Sequence, residues 1–134
     1  MNLTFVDAGV LIAAARGTGD VARRALALLD DPDRAFASSI FVRLEVLPKP
    51  SYLKRVAEVE FYETYFRSVS RWLAPDPDFL DIALREACRM GLSAMDAIHL
   101  TAAAALGANE FVTSESATKP IFRSASLTVR SIRP

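Results

Sequence analysis

Four acidic residues stand in four separate stretches of the chain, each beside an apolar segment able to form a strand or helix. They are Asp7 in FVDAGVLIAA, Glu45 in SSIFVRLEVL, Asp96 in LSAMDAIHLTAAAA and Glu115 in FVTSES. Carboxylates set against buried elements are expensive to desolvate unless something cationic meets them. Gathered into one pocket, they make an oxygen-only donor set of the kind that hard divalent ions such as Mg²⁺ or Mn²⁺ prefer. Such an ion lowers the pKa of a water for in-line attack on phosphorus and offsets charge on the phosphoryl oxygens. The pattern therefore points to metal-dependent phosphodiester chemistry, which needs no nucleophilic side chain.

Each acid alone also has a plainer task. Asp7 ends a strand, the place where α/β sheets bind ligands, yet Asp before a helix is also a common N-cap. Glu45 sits either at the edge of its helix's buried stripe or on the solvated face. Ser93-Ala94-Met95-Asp96 fits a capping-box variant, and an acid in a first helical turn also answers the helix dipole. A carboxylate there can support the cap and still point into a cleft. Glu115 follows the apolar EFVT run, where Ser114, Glu115 and Ser116 also suit a simple turn; Thr113 and Ser114 offer hydroxyls for water or phosphate. His99, three residues past Asp96, reads as a helix-packing or hydrogen-bonding residue in preference to a metal ligand or base. The set of four is far more specific than any member.

The elements that must position these residues alternate short apolar runs with longer helix-period stretches, the signature of an α/β layered domain. Leu3–Val6 reads as a strand buried on both faces, followed by a short helix over Ala8–Ala15 that ends near Gly17. Asp20–Leu29 is an amphipathic helix, broken by Asp30-Asp31-Pro32, and Arg34–Ala37 is a second strand. Ser38 or Ser39 caps a helix to Leu47, which Pro48 and Pro50 stop. Tyr52–Val69 reads as one long helix and Trp72-Leu73 as a third strand. Asp76 and Pro77 open a helix over Asp78–Met90 that Gly91 closes. Ser93 caps the next helix, running to Gly107. Glu110–Thr113 and Leu127–Val129 are the last strands.

At 134 residues, with 51% apolar and 24% charged, the chain reads as one globular domain over 1–134. Lys+Arg and Asp+Glu both number 16, so the total charge advertises neither nucleic acid nor membrane as a partner. The distribution is uneven: Lys119, Arg123, Arg130 and Arg133 form an acid-free basic strip after residue 116, while Glu58, Glu60 and Glu63 crowd the middle. A basic strip beside an acidic pocket suits a polyanion that needs a metal, though chance clustering on a solvated surface would look the same. Cys88 is the only cysteine, which excludes an intrachain disulfide and a thiolate zinc site; its helical apolar surroundings predict a core position. No segment has transmembrane length, and a reducing cytoplasm is the natural setting.

The string Asp7-Ala8-Gly9-Val10-Leu11-Ile12, then Glu45 in a capped helix, then Leu92-Ser93-Ala94-Met95-Asp96-Ala97-Ile98-His99-Leu100, resembles the PIN domain. Thr113-Ser114-Glu115 occupies the place of that family's Thr-x-Asp segment, and the likeness runs through nearly the whole chain. The compact length is similar to VapC-type ribonuclease toxins of toxin–antitoxin pairs. This resemblance implies a three-layer α/β/α sandwich around a parallel, roughly five-stranded sheet, and Mg²⁺- or Mn²⁺-dependent cleavage of RNA. It implies Asp7, Glu45 and Asp96 as metal ligands, with Glu115 as the fourth in place of the usual Asp and Thr113 assisting through its hydroxyl. It further implies an antitoxin that wraps the toxin and sets a basic side chain near the acids, and a homodimer. The aromatic-rich Tyr52–Val69 stretch has apolar surface to spare for such a partner, unless it is simply a broad core-facing helix.

Two other functions compete. One is a catalytically silent PIN fold that binds RNA or protein, for which the departure at Glu115 leaves room. The other is a phosphohydrolase with Asp7 as nucleophile; it would want a second acid two residues on, where this chain has Gly9.

Overall fold

The computed structural model describes residues 1–134. Strand β1 (Asn2–Val6) lies at the middle of a five-stranded sheet of order β3-β2-β1-β4-β5, with β2 at Arg34–Ser39, β3 at Arg71–Leu73, β4 at Glu110–Thr113 and β5 at Thr128–Ser131. All four pairings are parallel. Parallel neighbours need crossover connections, and seven helices are available to make them. They are α1 (Ala8–Arg16), α2 (Gly19–Leu29), α3 (Ile40–Val46), α4 (Pro48–Tyr52), α5 (Val56–Ser68), α6 (Pro77–Met90) and α7 (Ala94–Ala105).

The register assigns the two faces. Thr4 pairs with Phe36 and Phe5 with both Ala37 and Phe111, so Phe5 and Phe36 point to opposite sides. Phe5 stacks on Phe111 at 5.7 Å and meets the His99 ring of α7 at 6.0 Å; Phe36 meets Tyr65 of α5 edge-on at 5.5 Å. Helices α6 and α7 thus cover one face, and α1, α2 and α5 the other, completing the α/β/α sandwich. Helix α3 leaves the carboxyl end of β2 and touches both α1 and α7, bridging the two layers at that edge of the sheet.

The punctuation read from the sequence holds at several ends. Asp76 accepts from the amides of Asp78 and Phe79, both at 2.9 Å, with Pro77 at the first helical position. Gly91 closes α6 at φ 70°, a conformation glycine adopts without strain. Two expectations fail. The stretch Tyr52–Val69 is not one helix: α3 does stop before Pro48 as expected, but Pro48 also opens α4, since a missing N–H costs nothing in a first turn. That helix ends at Tyr52 with Leu53 as its cap, the chain turns at Lys54, whose φ of 56° is left-handed, and α5 begins only at Val56. Cys88 is exposed, not in the core. The buried stripe of α6 runs through Phe79, Ala83 and Met90, and Cys88 lies five residues past Ala83, about 140° around the helix.

Candidate functional site

The carboxyl ends of β1 and β4 are adjacent, because Val6 pairs with Val112. The next residue on each strand is Asp7 and Thr113. Asp7 caps α1, accepting from the Val10 amide at 3.2 Å, and its own amide donates to Val112 at 3.0 Å. The cap reading is therefore correct, and it does not exhaust the residue. Asp7 is only 7% exposed, and burial pushes its carboxyl up to about 6. The Thr113 hydroxyl, the Val10 amide and His99 pull it down, while Asp96 pushes it further up.

Asp96 stands in the first turn of α7, where its amide donates to the Ser93 hydroxyl at 3.4 Å. Its carboxyl is raised by burial first and by Glu115 next, with a smaller push from Glu45; Ser93 and His99 oppose the rise. Ser93 thus fixes the helix start, and the Asp96 carboxyl faces the other acids across the sheet edge. Glu115 lies just past β4 with its amide on Thr113 Oγ1 at 3.0 Å. The Thr113 hydroxyl therefore joins the first and fourth acids, accepting from the Glu115 backbone and facing the Asp7 carboxyl.

Glu45 reaches the same edge from α3. Its side chain is about a third exposed, and one oxygen pairs with Nε2 of His99. His99 is 2% exposed, and its Nδ1 has no hydrogen-bond partner. A proton on Nε2 serves the carboxylate and leaves a bare lone pair at Nδ1, the cheaper of the two groups to bury unpaired. The only histidine of the chain is thus a hydrogen-bonding residue, one of the two roles read for it from its place three residues past Asp96, and it sits among three of the four acids.

One pair of site residues was not evident in the sequence. A β-carbon at position 9 would come within 2.0 Å of Ser114 Oγ and 3.4 Å of an Asp7 carboxylate oxygen. Gly9 is therefore the notch in α1 that admits the loop carrying Glu115. The available signal was a glycine inside a helix, which costs about 1 kcal/mol against alanine and so implies a packing reason.

All four predicted acids lie at the carboxyl end of the sheet, where Asp96 raises Asp7 and is itself raised by Glu115 and Glu45, but they do not close on a point. No three His, Cys, Asp or Glu side chains are close enough together to enclose an ion. The expected pocket is thus an open cluster, in which carboxylates repel and Glu45 is drawn toward His99. The donor set still fits a hard divalent cation. Every donor is an oxygen, and both raised acids are raised by burial and by neighbouring carboxylates, the strains that an added positive charge relieves. The principal clefts of the molecule lie elsewhere, one of about 490 Å³ running between α2 and α5 past Leu29, Phe61 and Tyr65. An open acidic edge is accessible to an extended polymer without the enclosure a small ligand wants.

The sequence matches the PIN domain family over residues 4–119. Among curated proteins no relative matches. Solved structures share the fold at low identity. VapBC2 from Rickettsia felis, bound to a DNA fragment from their promoter, superposes with a TM-score of 0.71 at 16% identity over 96% of this chain and 98% of that one. A toxin–antitoxin complex from Klebsiella pneumoniae gives 0.68 at 19%, over 93% and 95%. A Pyrobaculum aerophilum protein gives 0.56 at 22%, over 96% and 90%.

Proposed function

Because the chain belongs to the PIN domain family, we propose that it is a Mg²⁺- or Mn²⁺-dependent endoribonuclease and the toxin of a toxin–antitoxin pair. The observation that carries this reading is the meeting of Asp7, Glu45, Asp96 and Glu115 at one open sheet edge, with Asp7 and Asp96 raised by their surroundings. Those four are the residues that would hold the ion. When bound, the ion supplies positive charge that activates water and offsets the charge growing on the phosphoryl oxygens. The chain's own groups do the positioning. The Val10 amide and the Thr113 hydroxyl hold Asp7. Ser93 fixes the turn that carries Asp96, His99 orients Glu45, and Thr113 fixes the backbone at Glu115.

The partner proposals rest on surface chemistry and on the likeness to structures named as toxin–antitoxin complexes. Leu44, Tyr52, Leu53 and Val56 are large apolar residues left exposed around α4, and an antitoxin or a second copy of the chain would cover them. No helix is long and apolar enough to cross a membrane. An RNA substrate and a lone free thiol both suit the cytoplasm.

A second reading, a silent fold that binds RNA or protein, is favoured by the engagement of Glu45 with His99 and by the longer acid at Glu115. One experiment separates them. The protein and Asp96→Asn are incubated with a mixed structured-RNA pool in Mn²⁺ or in EDTA, and melted with and without Mn²⁺. Cleavage that needs Mn²⁺ and vanishes in the variant supports the nuclease. Neither cleavage nor a Mn²⁺-dependent shift in melting temperature sinks it and favours the binding module.

A further inference from the structure

Resting on the reading of the acidic edge as a phosphodiester site, we propose that Arg133 binds a phosphate of the RNA strand next to the one that is cut. Three hydrogen bonds tie the end of β5 and the residues after it to the loop that carries Glu115, and a fourth braces the segment itself. The Ile132 amide donates to the Thr113 carbonyl at 3.0 Å, and the Ser131 hydroxyl donates to the Glu115 carbonyl at 2.7 Å. The same hydroxyl accepts from the Arg133 amide at 3.0 Å, and Arg133 Nε donates to the Ser114 carbonyl at 2.6 Å. The backbone and the side chain of Arg133 are therefore both referenced to Thr113, Ser114 and Glu115.

The Nε bond fixes the plane of the guanidinium and leaves both terminal nitrogens free. Arg133 is exposed and makes no ion pair, unlike Arg34, which is held by Asp31 and Glu110, and Arg130, which lies 3.9 Å from Glu110. An unpaired arginine on the loop that carries Glu115 would gain by swinging onto an acid. Its anchor on a backbone carbonyl keeps it at the rim with its charge available. A planar fork of N–H donors matches phosphate oxygens two at a time. Such a cation answers a difficulty of the site itself, since an acidic edge repels the polyanion it must admit, and a fixed positive group beside it gives the strand a place to hold. Lys119 and Arg123 of the same basic strip also make no ion pair, but no hydrogen bond ties their side chains to the site loop as one ties that of Arg133.

The test is the binding of a short, fluorescein-labelled, single-stranded oligoribonucleotide by anisotropy, in Ca²⁺ over a series of KCl concentrations. Wild type, Arg133→Gln and Arg133→Lys are compared, with Mn²⁺-dependent cleavage of the same RNA in parallel. Arg133→Gln should weaken binding about tenfold near 0.1 M salt and flatten the slope of log K against log salt by about 0.7, the share of one single-strand phosphate contact. Arg133→Lys should restore the slope. In cleavage, KM should rise with the loss of binding while kcat stays within about twofold, because a contact made equally in ground and transition states acts on KM. An unchanged affinity and slope in Arg133→Gln overturns the proposal, as does a wild type that binds no RNA. A fall in kcat with the slope unchanged and a smaller Mn²⁺ melting shift also overturns it, leaving Arg133 as a brace of the Glu115 loop. Arg133-dependent binding without any cleavage in Mn²⁺ supports this proposal and sinks the catalytic reading alone.

Discussion

Replacing Asp7 by asparagine should stabilise the fold at neutral pH while abolishing cleavage. Burial and the nearby Asp96 raise the folded carboxyl from 3.8 to about 6. Each unit of difference between the folded and unfolded states is worth about 1.4 kcal/mol, so the ionised group costs the native state roughly 3 kcal/mol once both states are deprotonated. The sign follows from which state gives up its proton first. Below about pH 4 both forms are protonated and the cost is nil. Between about pH 4 and 6 the unfolded chain releases its proton while the folded one keeps it, and wild-type stability falls as pH rises. Above pH 6 the cost is constant. Asparagine keeps an oxygen for the Val10 amide, so the helix cap survives and only the charge is lost. Urea unfolding followed by circular dichroism should show the two proteins within about 0.5 kcal/mol at pH 4 and the variant ahead by about 3 kcal/mol at pH 7.5. Saturating Mn²⁺ should close much of that gap from the wild-type side, by about 2.7 kcal/mol at a hundred times Kd. A variant no more stable than wild type at pH 7.5, or a gap of the same size at pH 4, would refute the account of Asp7 as a strained, cation-seeking group.

Two further substitutions probe contacts that cross between elements. Gly9→Ala drives a methyl group into Ser114 Oγ and should cost about 1–3 kcal/mol in a thermal or urea melt, with Ser114→Gly recovering most of it; a melt unchanged by Gly9→Ala would show that the loop has room to move. His99→Leu frees Glu45 from its partner and should lower kcat/KM by tenfold or more, on the scale of losing a residue that orients a ligand. His99→Gln retains an N–H near the position of Nε2 and should keep more of the activity, and equal losses in the two variants would argue for packing against Phe5 as the role of the ring.

What the sequence made legible follows from how local each signal is. The strand at β1, the Asp76-Pro77 opening of α6 and the Ser93 start of α7 are written in neighbouring residues, and each forms where its residues predict. The break at Lys54 was not legible, since Pro48 and Pro50 suit the end of one helix as well as the start of another, and packing decides between them. Cys88 misled for a related reason: apolar neighbours on both sides signal a helix, but only the partner helix fixes which stripe is buried.

The acids follow the same division. Their placement at strand ends and first helical turns is a local property, and so is the spacing that sets His99 on the same side of α7 as Asp96. That His99 would be answered by Glu45, a residue on another helix 54 positions away, depends on α3 crossing from one layer to the other. That Gly9 must stay bare depends likewise on the depth to which the β4 loop sinks into α1. Both contacts limit how far an acid-bearing element can move: one holds Glu45 toward α7, and the other seats Ser114, the residue before Glu115, against α1. The fold therefore carries the four acids to one end of the sheet despite the repulsion between Asp96 and its neighbours. Added Mn²⁺ should therefore raise the melting temperature, and removing Glu115 should make Asp96 easier to ionise, as removing Asp96 should for Asp7.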